Sequence, residues 1–315
     1  MAGNEPGLAA GAGAGAGAGV AAGLQAGLDA LPLLPANRAP LAPEFSWPGG
    51  HRAAMFLSFD VDAESAWTAK DPARYGELVT MSFGGYEARV GTPKLLQMLR
   101  ELGLKATFFI TGWSVEAHPA MCEAILKDGH EIGHHGFHHV MPQPGDPMLV
   151  SEVDRGLEVL QRRLGVVPQG YRAPSGEFCE ELRVLLKERG LRYTSSFRDD
   201  VRPYRHLLAD GSPGLVELPV TACYDDWLLG LSHRYSRHTL LSREQVLSIW
   251  TDELAEIRDW GGMVTTVLHP QCSGRPMRLK LLREFLQHTQ ALQDVWIATG
   301  AEIADHFAAC ESGAA

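Results

Sequence analysis

Short apolar runs rich in β-favouring residues alternate with longer segments of helical periodicity from Trp47 onward. Strands that alternate with helices of ten or more residues favour parallel β–α–β units, because a parallel connection has to cross over the sheet. In such folds the functional side chains gather at the carboxyl ends of the strands. The pattern therefore predicts an α/β protein with its chemistry at that edge.

The same patterns locate the individual elements. Apolar runs bounded by turn residues predict strands at Ala53–Phe59, Ala106–Ile110, His130–Gly133, Gly170–Arg172, Tyr193–Ser195, Leu215–Val220, Met263–His269 and Val295–Ile297. Helical periodicity predicts helices at Pro93–Leu102, Ala120–Lys127, Val150–Leu164, Glu180–Arg189, Ser242–Trp260 and Met277–Leu292. No internal repeat is visible, so one barrel of roughly 260 residues is the simplest architecture.

The first part of the chain has a different composition. Residues 3–30 are mostly glycine and alanine, with an uninterrupted alternation from Ala10 to Gly19. Such a segment buries too little apolar area to offset its ordering entropy, so we expect a disordered tail over residues 1–45, at most with a short helix over Val20–Leu31. The first basic residue is Arg38, and glycine dilutes any apolar run. We therefore expect neither a signal peptide nor a membrane span, and hence a cytoplasmic protein. We expect the catalytic barrel to occupy residues 46–310.

Charge and cysteine content narrow the class of protein. The net charge is −10, which argues against nucleic acid as a partner, because nucleic-acid binding relies on clustered lysine and arginine. The five cysteines are scattered and form no metal-binding spacing, as expected for idle thiols in a reducing compartment.

Two groups of polar residues follow predicted strands. Asp60 and Asp62 stand two apart at a strand end, so their carboxylates can point to the same side of the sheet. His135 and His139 stand four apart, which lets both imidazoles face one ion. Two histidines and a carboxylate form a usual catalytic metal set, whereas the alternatives are a solvated histidine-rich loop and a site that only stores metal. His134 and His138 have the same spacing, so spacing alone leaves both pairs open.

Five blocks of sequence carry a more specific resemblance. They are SFDVDAE from Ser58, GHEIGHHGFHH from Gly129, GYRAPSGEF from Gly170, ELPVTACYDDW from Glu217 and TTVLHPQCSGRP from Thr265. In content and order they resemble the polysaccharide deacetylase superfamily, the NodB-like carbohydrate esterases. The resemblance implies a distorted (β/α)7-type barrel, similar to a TIM barrel.

The resemblance also implies a metal centre. It makes Asp62, His135 and His139 the ligands of one divalent ion, with zinc the first expectation and cobalt, nickel or manganese as alternatives. The ion's bound water would attack an amide carbonyl, since a divalent ion lowers the pKa of such a water towards about 7. We expect no organic cofactor.

Four further residues receive catalytic roles from the resemblance. It makes Asp60 the general base. It also pairs Arg172 with Asp60, so that Arg172 would hold the orientation of that carboxylate. His269 becomes the general acid that protonates the departing nitrogen. In the fourth block, Asp226 would tune His269, with an ordinary turn as the alternative.

The sequence departs from the common family pattern in three places. Val61 separates the two aspartates, so base and ligand could exchange roles. The histidine block lacks the usual serine or threonine after its first histidine. Ser175-Gly176 stands where sugar deacetylases commonly offer an aromatic residue to a hexose.

The D-x-D spacing, the histidine block and the last block resemble a branch that holds peptidoglycan-deacetylase-like enzymes and cyclic imide or ureide hydrolases such as allantoinases. Three hypotheses follow: de-N-acetylation of an amino sugar or glycan, ring opening of a small cyclic imide or ureide, and a non-catalytic metal- or ligand-binding relative. The first two make the protein a hydrolase of non-peptide carbon–nitrogen bonds. The expected partner is a small-molecule or glycan amide, without nucleic acid or membrane, and a homo-oligomer stays open.

Overall fold

A computed structural model describes residues 45–313, so almost all of the predicted tail, including Val20–Leu31, lies outside the described residues. The strands are β1 (Ala53–Phe56), β2 (Ser58–Val61), β3 (Thr107–Ile110), β4 (Glu131–His134), β5 (Gly170–Tyr171), β6 (Tyr193–Thr194), β7 (Tyr204–Leu207), β8 (Pro213–Glu217), β9 (Ser232–His233), β10 (Ser236–Arg237), β11 (Met263–Thr265) and β12 (Val295–Ala298). The α-helices are α1 (Ser65–Thr68), α2 (Leu78–Tyr86), α3 (Thr92–Leu102), α4 (Gly112–Ala117), α5 (Pro119–Lys127), α6 (Leu149–Leu164), α7 (Glu180–Glu188), α8 (Asp226–Gly230), α9 (Arg243–Trp260), α10 (Pro270–Ser273), α11 (Pro276–Leu292) and α12 (Gly300–Glu311). A π-helical turn over Glu87–Gly91 joins α2 to α3.

Parallel pairing dominates the sheets. One sheet has the order β2-β3-β4-β5-β6-β8-β7, in which only the edge strand β7 runs antiparallel to its neighbour. A second sheet places β1 between β11 and β12, with both pairs parallel. Helices connect the parallel strands from β2 to β6 and connect β11 to β12, whereas the antiparallel strand β7 lies in the connection from β6 to β8. The predicted α/β fold with parallel strands is confirmed.

The two sheets meet where one predicted strand is divided. Ala53–Phe59 was expected as a single strand, but the chain changes sheets at Leu57, so β1 and β2 pair with different neighbours. The Thr266 side chain occupies this break, since its Oγ1 accepts a hydrogen bond from Ser58 N (2.8 Å) and donates to Ser58 O (3.1 Å). The predicted strand Met263–His269 is shortened for the same reason, and beyond β11 only isolated bridges remain, between Phe59 and Leu268 and between Asp225 and Val267. Through these bridges the segment after β11 contacts β2 on one side and the segment after β8 on the other. The strands therefore form a distorted barrel.

Helix α3 shows how the outer layer is built. A proline in its first turn and Gly103 after its last residue, at φ 68°, mark its two ends, as expected from the backbone freedom of these residues. Leu95 and Leu99, four residues apart, lie on one face and are fully buried in the main apolar cluster with Phe108. Burial of each such side chain stabilises the fold by about 1.5–3 kcal/mol.

Several elements were missed by the sequence analysis. The helix α2 has exposed apolar residues at Leu78 and Val79 and two glycines near its end, so it carries no clear amphipathic pattern. Strands of two residues, such as β9 and β10, are too short to show a period. Within residues 45–313, no helix is long and apolar enough to cross a membrane.

Two glycines seat the π-helical turn directly against the segment that follows β11. A Cβ placed on Gly91 would lie 2.2 Å from the carbonyl oxygen of Pro270, and one placed on Gly274 would lie 2.4 Å from the Cα of Gly91. Only glycine permits this approach of backbone to backbone. The contact fixes α10, and with it the histidine that precedes Pro270.

We therefore expect Gly91→Ala to destabilise the protein by about 1–3 kcal/mol, the usual cost of overpacking a site that cannot relax. Gly76→Ala is the matched control, because nothing lies within 4 Å of a Cβ at that position. Denaturant unfolding of both variants measures the difference. Equal stability of the two variants would contradict the close approach.

Candidate active site

The polar strand ends converge on one cavity of about 470 Å³. Asp60 lies in β2 and Asp62 directly follows it, while His135 follows β4 and Arg172 follows β5. His269 ends the segment after β11, and all five side chains line the cavity. The parallel sheet accounts for this arrangement, because the carboxyl ends of its strands meet on one side.

Asp62, His135 and His139 lie together on the cavity floor, with one ligand atom from each within 4.8 Å of the others. Asp62 Oδ1 is 3.4 Å from His135 Nε2, and Asp62 Oδ2 is 3.6 Å from His139 Nε2. Tetrahedral zinc with bonds of about 2.1 Å separates its ligand atoms by roughly 3.4 Å. The donor set and its spacing therefore fit a divalent ion.

Hydrogen bonds also leave these donors available. His135 Nδ1 is 2.7 Å from the carbonyl oxygen of Arg172. Because a carbonyl can only accept, Nδ1 carries the proton and the lone pair is on Nε2, which faces Asp62. Asp62 Oδ1 is buried without a hydrogen-bond partner among the described residues. An unpartnered buried carboxylate oxygen is expected where a cation binds.

The structure separates the two histidine pairs that equal spacing left open. His139 reaches the floor through a backbone φ of 59°, an uncommon conformation for a residue with a side chain. His134 points away from the cavity and packs against Tyr171, with ring centroids 5.1 Å apart. His138 Nε2 lies 3.1 Å from Thr68 Oγ1. His134 and His138 therefore face other partners, whereas His135 and His139, the pair that the resemblance implies, face the cavity.

A buried ion pair lies beside this centre. Arg172 Nη1 donates to Asp60 Oδ1 at 2.8 Å, and both side chains are almost fully buried. Arg172 also donates from Nε to Ser195 O (3.0 Å) and from Nη2 to Ser195 Oγ (2.9 Å), and it lies 4.3 Å from the centre of the Phe109 ring. These contacts fix the guanidinium, so Asp60 has a defined orientation.

A second buried pair joins His269 to Asp226. His269 donates to Asp226 Oδ1 from its backbone N (3.0 Å) and from Nδ1 (2.8 Å), and Ser273 Oγ donates to Asp226 Oδ2. His269 Nε2 is thereby directed to the cavity, 3.8 Å from Asp62 Oδ2. Asp225 with this pair forms another group of possible ligands, but these hydrogen bonds already engage Asp226 and His269 Nδ1.

The proximity of opposite charges changes the proton affinities. Burial by itself would lower the pKa of His269, but the hydrogen bond and charge of Asp226, with Asp62 and Asp60, raise it to about 10. Burial would raise the pKa of Asp62, yet His139, His135 and His269 hold it well below its usual value. Burial lowers the pKa of His139 to about 4. His139 is therefore neutral near pH 7, as a metal ligand must be.

Glu87, which was not predicted as a site residue, is a fully buried carboxyl in the π-helical turn. Its Oε1 accepts a hydrogen bond from the backbone N of Ala63 (3.1 Å), and its Oε2 accepts one from Gln271 Nε2 (3.2 Å). Ala63 has a φ of 49° and directly follows Asp62. Burial, and then the charge of Asp62, raise the pKa of Glu87 well above its ordinary value. A glutamate inside the glycine-rich stretch GGYEARVG was the available signal.

We expect Asp62→Asn, His135→Ala and His139→Ala each to lower the amount of bound divalent ion, because each removes one of three donors. His138→Ala is the control, since its ring contacts Thr68 and not the floor. Equilibrium dialysis against zinc measures the bound ion. Full retention in His135→Ala, with loss in His138→Ala, would reject this ligand set.

Comparison with known proteins adds a family, two relatives and one protein of the same fold. The sequence profile described as polysaccharide deacetylase matches residues 77–194. A Mycobacterium smegmatis crystal structure assigned to the polysaccharide deacetylases is 39% identical, with a TM-score of 0.82, and the match covers 87% of this chain and 96% of that one. The peptidoglycan deacetylase of Helicobacter pylori is 26% identical over 287 residues, which are 79% of this chain and 94% of the relative. The crystal structure of Puue allantoinase, 21% identical with a TM-score of 0.74, covers 86% and 94% and shares the fold.

Proposed function

The chain belongs to the polysaccharide deacetylase family, and from that premise we propose that it is a metal-dependent hydrolase of a non-peptide amide bond, which removes the acyl group from an N-acylated amino sugar or glycan. The observation that carries the proposal is that two buried acid–base pairs face one set of metal donors inside a single cavity. A site that only stores metal would need the donors but neither pair.

The proposed metal ligands are Asp62, His135 and His139, and zinc suits two imidazoles and one carboxylate. When bound, such an ion would lower the pKa of water and polarise the amide carbonyl. Three protein ligands leave room for water and substrate, as in catalytic zinc sites.

Asp60 is proposed as the general base. Its carboxylate lies beside the donor set, and Arg172 holds it through Oδ1, so Oδ2 is the oxygen that can take a proton from the attacking water. Oδ2 is 4.0 Å from His135 Nε2, which places it next to the ligands. The new bond joins the water oxygen to the amide carbon, and the released proton passes to Asp60.

His269 is proposed as the general acid. Asp226 holds its Nδ1 proton and raises its pKa, so the ring is protonated near pH 7 and can donate from Nε2. The carbon–nitrogen bond then breaks as the nitrogen receives this proton. The products are a carboxylic acid and an amine. Asp60 has taken one proton from the water, and His269 has given one proton to the nitrogen.

A second candidate is ring opening of a cyclic imide or ureide. The supporting observation is the size of the cavity, since about 470 Å³ suits a small molecule and lies in the ordinary range for small ligands. The same base and acid would serve, because a cyclic imide contains the same type of carbon–nitrogen bond. Both candidates therefore share one mechanism and differ in substrate.

We expect Asp60→Asn and His269→Ala to lower kcat by about 100-fold or more, the usual effect of removing a positioned base or acid. Both variants should keep the bound zinc, because neither residue is a proposed ligand. The assays are acetate release from N-acetylglucosamine oligomers and ring opening of five- and six-membered cyclic imides. Loss of zinc from Asp60→Asn would mean that the two aspartates exchange roles, and turnover of neither panel by the wild type would remove the hydrolase proposal.

A further inference from the structure

The outer part of the cavity is lined by basic side chains. Lys70, Arg74, Arg198 and Arg237 all contribute to it, although the chain as a whole carries a net charge of −10. Such an acidic chain repels anions at long range, so a local group of cations is needed to hold one. The basic residues in the outer part of the cavity therefore indicate that the molecule that enters carries a negative charge.

Of these residues, Arg198 is held by two backbone carbonyl oxygens. Its Nη1 donates to the carbonyl oxygens of Ser196 (3.2 Å) and Gly176 (3.4 Å). No carboxylate of the described residues forms an ion pair with it, whereas most arginines on the surface of this protein have one. Backbone carbonyls orient the guanidinium without neutralising it, so its charge stays available to a ligand.

Gly176 provides the space for this guanidinium. Its φ is 73°, and a Cβ at this position would lie 2.9 Å from Arg198 Nη2. The preceding residue, Ser175, also has a positive φ of 60° and lines the cavity. The Ser175-Gly176 pair thus shapes the wall for an arginine, which gives a physical reason for this departure from the family pattern.

Neighbouring cations support the same charge preference. Lys70 and Arg237 line the cavity, and neither has an ion-pair partner in the part of the chain that the structure describes. Arg74 also lines the cavity, but its charge is partly balanced, because its Nε lies 3.8 Å from Asp71 Oδ2 while its guanidinium stacks 3.9 Å from the centre of the Tyr235 ring.

We propose that Arg198 binds an anionic group, a carboxylate or a phosphate ester, that is carried by the same molecule as the scissile amide. The inference rests on the proposed function for the identity of the reacting bond. Arg198 is then a specificity-determining residue: it selects an acidic amide from neutral ones, while Asp60 and His269 act on the bond itself.

Three N-acetylated sugars test this inference on the full-length, zinc-loaded protein: N-acetylglucosamine, N-acetylmuramic acid, which adds a lactyl carboxylate, and N-acetylglucosamine 6-phosphate. In each, water cleaves the acetyl carbon–nitrogen bond to give acetate and the free amine. We expect kcat/KM for one acidic sugar to exceed that for the neutral sugar by about tenfold or more, the scale of a charge-assisted hydrogen bond. The two acidic sugars distinguish carboxylate from phosphate.

Arg198→Gln should lower this ratio by about the same factor. Arg163→Gln is the matched control, since Arg163 is exposed on α6 and does not line the cavity, and it should leave the ratio unchanged. Arg198→Lys should retain part of the preference, because it keeps the charge and loses the planar fork. A preference for the neutral sugar, or a ratio that Arg198→Gln does not change, would overturn the inference.

Two further measurements keep the outcome decisive. If Arg198→Gln does not fold, the wild-type ratio should fall as NaCl rises from about 50 to 500 mM, because salt screens exposed charges, and a constant ratio would count against the proposal.

If no sugar is turned over, the proposed function fails for these substrates. Calorimetric titration with the two acidic sugars then decides the inference alone: binding that Arg198→Lys weakens supports it, and binding that Arg198→Lys leaves unchanged, or no binding, overturns it.

Discussion

Burial of ionised groups at one end of the barrel is the constraint on which the rest of the site depends. Removing a charge from water costs several kcal/mol, and only a close partner offsets that cost. Arg172 compensates Asp60 at 2.8 Å, and Asp226 compensates His269 at 2.8 Å. Asp62 has no cation of comparable proximity, and its Oδ1 is left without a hydrogen bond. The two satisfied pairs and the one unsatisfied carboxylate are the physical basis on which we propose that the site consists of acid–base groups and a metal centre.

The sequence predicted the parts of this arrangement that depend on local patterns. Alternating strands and helices predicted the parallel sheet, and strand ends predicted where Asp60 and His269 would lie. Equal spacing could not separate His135 from His134, because the choice depends on which ring the backbone turns toward the cavity. The break at Leu57 was also beyond prediction, and a glutamate in a glycine-rich stretch did not show that Glu87 would be buried, since both features depend on contacts with residues about 180 or more positions away, Thr266 and Gln271. Long-range packing leaves no periodic signal in the chain.

The fold and the substrate are determined by different parts of the molecule. Members of a barrel family share the floor, where the strands end, whereas substrate preference depends on the loops above it. Here those loops place Ser175, Gly176 and Arg198 beside the cavity, together with Trp227 and the β9–β10 hairpin. Trp227 Nε1 donates to Ser236 Oγ at 2.8 Å, which ties the hairpin to the wall. The cavity is thus bounded on several sides and suits a small or terminal amide group.

The proposed mechanism depends most directly on the assignment of Asp62, His135 and His139 as the ligands of one ion. Anomalous diffraction at the zinc absorption edge, from crystals of the zinc-loaded protein, locates that ion without reference to activity. We predict one strong anomalous peak in contact with Asp62, His135 and His139, and no ligand bond to Asp60. A peak bound by Asp60 in place of Asp62, or one bound by Asp225, Asp226 and His269, would contradict it.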